Sequence, residues 1–257
     1  MEPSIRPLFR HHLAKKFIVR NLPPGSVIFD VGCGRGDLDF LLAKKGYDLE
    51  CFEYSEEAIR AFAALREKYK AENIVLHQGN FMTMEIPRKA DVIISHEVIE
   101  HLDDDEAAIR KMRAWLNPEG YLMISVPAHM SKWGVDDEIF GHKRRYERNQ
   151  LIGLLRGQGF EIMHIFSYGF PWLNILKKIR ECIVSIRPPK FTAKDKPDRI
   201  ELGTKKSGVG YFKSSLWSLI FNPITFSPLF LISDMFNSLD WSEGYYVIVR
   251  KIPQQGN

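Results

Sequence analysis

The stretch that most constrains the fold is V-I-F-D-V-G-C-G-R-G, where β-branched and other apolar residues lead straight into a glycine-rich loop. Val27–Val31 is predicted to be a buried strand, and the helical pattern that follows the loop stops at Gly46. Gly32, Gly34 and Gly36 allow a tight turn and let a ligand approach the backbone closely. Their spacing is G-x-G-x-G, not the G-x-G-x-x-G of dinucleotide-binding loops, which disfavours a nicotinamide-dependent oxidoreductase.

The same alternation of strand and helix continues along the chain. Further strands are predicted at D-L-E-C-F-E, N-I-V-L-H-Q-G-N-F, A-D-V-I-I-S, G-Y-L-M-I-S-V-P, F-E-I-M-H-I-F-S-Y-G and G-Y-Y-V-I-V-R-K. Helical patterns separate most of them, so we predict the α/β class with a doubly wound, mostly parallel sheet. The 257 residues suffice for one large domain with insertions or for two small domains.

Residues 169–243 depart from this rhythm, because about 75 residues separate the last two predicted strands. Trp172–Ile186 is predicted to be an amphipathic helix. Residues 214–236 include about 20 uncharged positions, the length of a membrane span, but Pro223 and Pro228 interrupt them. An interfacial membrane anchor, an apolar lid over a substrate pocket and a buried helical subdomain all stay open. We predict three parts: an N-terminal helical cap (1–26), a core domain (27–168 with 244–252) and a helical insertion (169–243).

Composition narrows the compartment and the partners. The net charge of +4 permits an anionic partner or membrane surface without requiring one. Cys33, Cys51 and Cys182 are odd in number and form no C-x-x-C pair. That pattern suits a reducing cytoplasm and argues against a disulfide framework or a cysteine-based zinc site. The N-terminal segment has no apolar signal core, so we expect a cytoplasmic protein, with membrane association through 214–236 left open.

A segment rich in histidine and acidic residues, S-H-E-V-I-E-H-L-D-D-D, follows the fourth predicted strand. A zinc-protease motif needs two histidines at i and i+4 on one helical face, whereas His96 and His101 are five positions apart. That chemistry is therefore disfavoured. On a helix, Glu97 and His101 would share a face, and Glu100 would lie one turn from Glu97. The segment indicates a carboxylate-rich cluster whose chemistry depends on the rest of the chain.

The chain resembles the class I S-adenosylmethionine-dependent methyltransferases, and within them the ubiquinone-pathway O-methyltransferase-like branch. The resemblance lies in V-I-F-D-V-G-C-G-R-G, C-F-E-Y-S, G-N-F, D-V-I-I-S-H-E-V-I-E-H-L and N-P-E-G-Y-L-M-I-S-V-P. It implies a Rossmann-like fold whose last two strands form an antiparallel hairpin. It also implies that S-adenosyl-L-methionine is bound by Asp30, Gly32, Gly34, Gly36, Glu53, Tyr54, Asn80, Phe81 and His96. Glu53 would hold the ribose. Asn80, where most members carry Asp, would meet the adenine amino group, and Tyr54 and Phe81 would pack near the adenine.

The E-x-x-E-H run also resembles the small-RNA 2′-O-methyltransferases, in which two Glu and two His hold a divalent metal. By that resemblance Glu97, Glu100, His101 and the downstream His142 would bind Mg²⁺, Mn²⁺ or Zn²⁺. Such a metal could orient a diol and lower the pKa of the acceptor hydroxyl. Many metal-free methyltransferases carry a similar Glu-His pair, so a metal-free site stays open.

We expect methyl transfer from S-adenosyl-L-methionine to a hydroxyl of a small or lipid-like molecule, because the apolar insertion favours a hydrophobic substrate or a membrane surface. His142 and His101 are the predicted catalytic groups, since a hydroxyl acceptor must lose a proton. Terminal 2′-O-methylation of RNA is the rival reaction, and the basic run H-K-R-R-Y-E-R fits it. RNA is disfavoured because no RNA-binding module is recognisable. A non-catalytic, cofactor-binding pseudoenzyme or scaffold is the third alternative.

Overall fold

The computed structural model describes residues 5–186 and 227–253, whose strands form one seven-stranded sheet. The strands are β1 (Val27–Val31), β2 (Asp48–Glu53), β3 (Ile74–Gln78), β4 (Ala90–His96), β5 (Leu116–Pro127), β6 (Phe160–Ser167) and β7 (Gly244–Lys251). Their order across the sheet is β3-β2-β1-β4-β5-β7-β6. Strands β1 to β5 pair in parallel, and β7 runs antiparallel to both β5 and β6. The predicted doubly wound sheet and final antiparallel hairpin are confirmed.

Helices cover both faces of this sheet. They are α1 (Arg6–Asn21), α2 (Asp37–Ala43), α3 (Glu56–Tyr69), α4 (Asp105–Trp115), α5 (Val135–Phe140), α6 (Arg148–Gly157), α7 (Trp172–Ile186) and α8 (Ser227–Phe236). One apolar core joins the sheet to helices α1, α2, α3 and α8 through side chains such as Leu13 and Phe62. A second core joins it to α4 and α6 through side chains such as Ile109 and Leu155. Burial on both faces explains why the parallel strands are continuous apolar runs in the sequence.

The sheet order changes direction between β1 and β4, and this change places the candidate site. Strand β1 pairs with β2 on one side and with β4 on the other, so that Asp30 is level with both Cys51 and Ile94. In an open α/β sheet, ligands bind beyond the carboxyl ends of the strands at such a switch point. The glycine loop, Glu53 at the end of β2 and His96 at the end of β4 therefore meet at one edge.

Beyond β4, the backbone does not form the helix that we expected for Glu97 and His101. Glu97 adopts a left-handed conformation with φ of 58°, and its N–H donates to Ser125 O at 2.9 Å on β5. Residues Ile99–His101 then form a single 3-10 turn, and α4 begins only at Asp105. The shared helical face is not formed, and Glu97 is directed away from Glu100 and His101.

The predicted N-terminal cap and insertion are partly described. Helix α1 lies within the predicted cap and buries Leu8, Phe9 and Ile18. The insertion contributes α7, as predicted, and α8, whereas residues 187–226 lie outside the described ones. The division into three parts stays a prediction. None of the helices in the described ranges is long and apolar enough to cross a membrane.

Candidate active site

The glycine loop presents open space at one position and is closely packed at the other two. All three glycines have positive φ, a conformation that other residues avoid. A Cβ at Gly32 would lie 2.4 Å from Val98 Cγ2, and one at Gly36 would lie 2.5 Å from the ring of Phe62. A Cβ at Gly34 would meet no atom within 4 Å. Gly32 and Gly36 thus serve packing, and Gly34 leaves backbone accessible to a ligand.

Glu53 is tied to this loop by backbone hydrogen bonds. Its Oε2 accepts from Gly34 N at 2.8 Å, and its Oε1 accepts from Tyr54 N at 2.8 Å and from Ser55 N at 2.7 Å. A carboxylate offers about four acceptor positions, so roughly one is left, and it is on Oε2. The side chain is buried but lies at the switch point, where a ribose hydroxyl would need such an acceptor.

The residues predicted to contact the adenine differ in exposure, since two are exposed and one is buried. Tyr54 follows Glu53 and exposes 60% of its surface. Asn80 is exposed, and its Oδ1 accepts from Met82 N at 3.0 Å, which caps a short 3-10 turn. Phe81 is buried with its ring centroid 6.3 Å from that of Trp115. Tyr54 is therefore the aromatic ring of the two that is free to cover a planar ligand.

Two neutral imidazoles face each other at the end of β4. His96 Nε2 lies 3.2 Å from Tyr246 Oη on β7, and its ring centroid lies 6.3 Å from that of His11 on α1. Burial, and then the nearby Arg10 guanidinium, lower the pKa of His11 to about 3. The same two causes lower the pKa of His96 well below its ordinary value. Both rings are therefore uncharged at neutral pH and can accept a hydrogen bond.

Glu97 is held as an anion by helix α1. Arg10 Nη1 lies 3.1 Å from Glu97 Oε1 and Arg6 Nη1 lies 3.9 Å from Oε2. Ser125 Oγ donates to the same carboxylate at 3.0 Å. Burial would raise the pKa of Glu97, but the two guanidinium groups outweigh it and lower that pKa. This carboxylate is already neutralised by the chain itself.

Glu100 has no such partner. It is completely buried, and neither carboxylate oxygen has a hydrogen-bond partner. Burial, and then repulsion from Glu97, raise the pKa of Glu100 well above its ordinary value. One carboxylate oxygen of Glu100 and one ring nitrogen each of His101 and His142 lie within 4.8 Å of one another. The structure thus brings together three of the four predicted metal ligands, and Glu97 pairs with α1 instead.

The two histidines of this group are oriented by their second nitrogens. His142 Nδ1 lies 2.7 Å from Asp137 Oδ1, and His101 Nδ1 lies 3.3 Å from the carbonyl oxygen of Gly141. Both partners are acceptors, so each Nδ1 carries a proton. His142 Nε2 points at Glu100 Oε1 at 4.0 Å. Burial, and then His142, lower the pKa of His101 to about 4.

Known proteins share this fold and these motifs. A family model described as a methyltransferase domain matches residues 8–165, which is more than half of the chain. The chain belongs to this methyltransferase family. It is 30% identical over 158 residues to a protein named as a probable S-adenosylmethionine-dependent methyltransferase of Mycobacterium tuberculosis, covering 59% of this chain and 55% of that protein. The resemblance to class I S-adenosylmethionine-dependent methyltransferases is confirmed.

The names of other relatives of this methyltransferase imply methylation of different atoms, nitrogen in one case and oxygen in the other. Identity is 30% over 171 residues to phosphoethanolamine N-methyltransferase 3 of Arabidopsis thaliana, covering 64% of this chain and 35% of that protein. Identity is 28% over 103 residues to a ubiquinone biosynthesis O-methyltransferase of Pseudomonas fluorescens, covering 39% of this chain and 44% of that protein. The chain spans about half or less of the length of these curated relatives. They therefore leave the acceptor undecided.

Solved structures show the same fold. Phosphoethanolamine N-methyltransferase 2 of Haemonchus contortus, in complex with S-adenosyl-L-methionine, superposes with a TM-score of 0.62 at 14% identity. The match covers 95% of this methyltransferase and 52% of that chain. The residues here fit the same cofactor, because Gly34 faces open space beside the one free acceptor position of Glu53.

Three residues of the methyltransferase site were not predicted. Arg10 and His11 come from α1, and the sequence offered only their position before the first strand as a signal. Asp137 orients His142 and also accepts from Arg145 Nε at 2.8 Å. Its five-residue separation from His142 carries no recognised motif. Among the predicted cofactor residues, Asp30 is buried against Asp39 of α2.

Proposed function

We propose that this methyltransferase methylates a hydroxyl oxygen of a small or lipid-like molecule, and that a divalent metal held by Glu100, His101 and His142 assists. The carboxylate of Glu100 carries the proposal, because it is fully buried, without a hydrogen-bond partner, and lies within 4.8 Å of one ring nitrogen of each of two histidines. A buried ionised carboxylate is strongly unfavourable unless a cation or a proton neutralises it. A divalent cation satisfies all three groups at once.

The donor set suits Mn²⁺ or Zn²⁺ better than Mg²⁺. Two imidazoles and one carboxylate are borderline donors, whereas Mg²⁺ prefers oxygen ligands and retained waters. Asp137 orients His142 through its Nδ1, as a carboxylate does for a ligating histidine in many metal sites. When bound, the metal would act as a Lewis acid that lowers the pKa of an acceptor hydroxyl. Glu97 is left out of this set, because Arg10 already pairs with it.

Hydroxyl acceptors need this assistance more than amines do. An alcohol or phenol keeps its proton at neutral pH and must lose it for the oxygen to attack a methyl group. His96 and His11 are neutral and half-buried beside the end of β4, so they can accept a hydrogen bond from the acceptor, whereas burial and Arg10 lower their pKa values and disfavour full transfer of the proton to them. Helix α1 packs against the end of β4 through Arg10 and His11, a contact that would help to exclude water during transfer.

An RNA acceptor is less well supported by the basic run at residues 142–148. Lys143 contacts Asp103, Arg144 Nη1 lies 2.9 Å from Asp105 Oδ2, and Arg145 is buried against Asp137. Side chains that are already paired offer little attraction to a phosphate backbone. Contact with a membrane through 214–236 also stays a prediction. Only 227–236 is described, and there Leu231 and Met235 expose 67% and 76% of their surfaces.

The test combines metal binding with turnover. Chelator-treated protein is titrated with Mn²⁺ by calorimetry, and methylation of catechols, from 3,4-dihydroxybenzoate to an alkylated catechol, is then measured with and without Mn²⁺. We expect Mn²⁺ to restore a rate that chelation lowers at least tenfold. Glu100→Gln should abolish Mn²⁺ binding and its effect, whereas Glu106→Gln, the same change on an exposed side chain of α4, should alter neither.

The outcomes separate the alternatives. Catechol methylation that is indifferent to chelation would refute the metal. Methylation of amines alone would refute the hydroxyl acceptor, and methylation of RNA 3′ ends would favour the rival reaction. S-adenosylhomocysteine binding without turnover of any acceptor would favour the pseudoenzyme.

A further inference from the structure

A second group of metal-ligating side chains lies at the base of the glycine loop. Cys33 belongs to the loop, Asp39 to the first turn of α2, and Cys51 to β2. The two sulfur atoms and one carboxylate oxygen all lie within 4.8 Å of one another. The sequence argued against a cysteine-based metal site because these cysteines are far apart in the chain. The parallel pairing of β1 with β2 brings them together.

Asp39 indicates that this group holds a cation. Its side chain is completely buried, and neither of its carboxylate oxygens has a hydrogen-bond partner. At the start of a helix an acidic residue ordinarily faces solvent and interacts with the helix dipole. Here it points instead toward Cys51, which is also fully buried.

Asp30 lies beside this group. It is level with Cys51 in the sheet, it is buried, and its carboxyl group lies against that of Asp39. Two sulfurs and one carboxylate supply three of the four ligands that are usual at zinc sites. Sulfur donors select Zn²⁺ and similar soft cations over Mg²⁺ or Ca²⁺.

We propose that Cys33, Cys51 and Asp39 bind a Zn²⁺-class cation that fastens the cofactor loop to β2. Binding would convert both thiols to thiolates, and the released protons would pass to solvent. The cation would not contact the acceptor. It would fix the position of Cys33, and so of the neighbouring Gly34 that faces the cofactor space. The proposal does not depend on the acceptor chemistry or on the group around Glu100.

Cobalt substitution tests this site separately from the other one. Reduced, chelator-treated Glu100→Gln protein is titrated with Co²⁺, and the near-ultraviolet charge-transfer band of cobalt–thiolate bonds is recorded. Histidine and carboxylate ligands give no such band, so it reports cysteine ligation alone. We expect about one Co²⁺ per chain with this band. Cys33→Ser and Cys51→Ser should each weaken Co²⁺ binding at least tenfold, whereas Cys182→Ser, at the exposed cysteine of α7, should not.

Asp39→Asn provides a second test in case the cysteine variants misfold, because it removes the charge while keeping the shape of a buried side chain. We expect it to keep both thiols and to bind Co²⁺ at least tenfold more weakly. The absence of a thiolate band in the parent protein would overturn the proposal, whatever the variants do. A mass lower by two hydrogens in protein purified without reductant would also overturn it, because Cys33 and Cys51 would then form a disulfide.

Discussion

The hydrogen bonds between Glu53 and the glycine loop allow a sharp test of the cofactor site. The carboxylate accepts three backbone N–H groups, from Gly34 at 2.8 Å, Tyr54 at 2.8 Å and Ser55 at 2.7 Å. In Glu53→Gln, the amide oxygen can serve the two donors that share Oε1, but the amide nitrogen cannot accept from Gly34. One buried N–H group then loses its acceptor, which costs about 1–3 kcal/mol of the free energy of unfolding.

The same change removes the acceptor position that we assign to the ribose. A hydrogen bond to a charged group contributes about 1.5–3 kcal/mol, and each 1.4 kcal/mol is about tenfold in affinity. We therefore expect S-adenosylhomocysteine to bind roughly 10- to 100-fold more weakly, measured by calorimetric titration. Glu50→Gln is the matched control, because Glu50 lies on the same strand, is equally buried and pairs with His77 at 2.9 Å. Equal affinity of Glu53→Gln and the parent protein would refute the ribose assignment.

Three further substitutions test the loop and the histidine support. Gly34→Ala adds a Cβ in open space at positive φ, so strain should cost about 1–2 kcal/mol while calorimetry shows S-adenosylhomocysteine affinity falling at least tenfold. Gly36→Ala should lower the thermal midpoint further than Gly34→Ala, because its Cβ would clash with a buried ring; equal midpoints would contradict this. Asp137→Asn breaks a buried ion pair with Arg145 and should cost about 3–5 kcal/mol in urea unfolding. Burial alone would raise the pKa of Asp137, but its contacts with His142 and Arg145 lower it. The free energy of unfolding lost in the variant should therefore be largest above pH of about 4, the ordinary pKa of an aspartate, and should shrink at lower pH.

The fold could be predicted because each parallel strand is buried on both faces. Such strands appear as short apolar runs, and the alternation of these runs with helical patterns fixes the class of sheet. The glycine loop and Glu53 followed from position alone, since both lie directly after strands that meet at the switch point. Less regular backbone was harder to predict. The fifth strand was predicted to begin at Gly120, yet β5 begins at Leu116, and its register with β4 shifts between Ala90 and Val92.

The side-chain environments could not be predicted, because they depend on contacts distant in sequence. Asp39 is an ordinary first-turn acid by its position in α2, and only the pairing of β1 with β2 shows that it faces Cys51. Arg10 is one of several basic residues before the first strand, and only the packing of α1 directs it to Glu97. In both cases a tertiary contact, not the local pattern, decides whether the charge is buried.

The contrast between Glu97 and Glu100 follows from the same backbone feature that prevented a helix there. The left-handed conformation of Glu97 directs its carboxylate toward Arg10, and the 3-10 turn that follows directs Glu100 toward His101 and His142. Adjacent carboxylates whose surroundings move their pKa values in opposite directions commonly take different chemical roles. Glu97 is balanced by a guanidinium group that the chain supplies, whereas Glu100 becomes charged only if a cation arrives. For this reason, the metal that we propose depends on Glu100 and not on the E-x-x-E-H run as a whole.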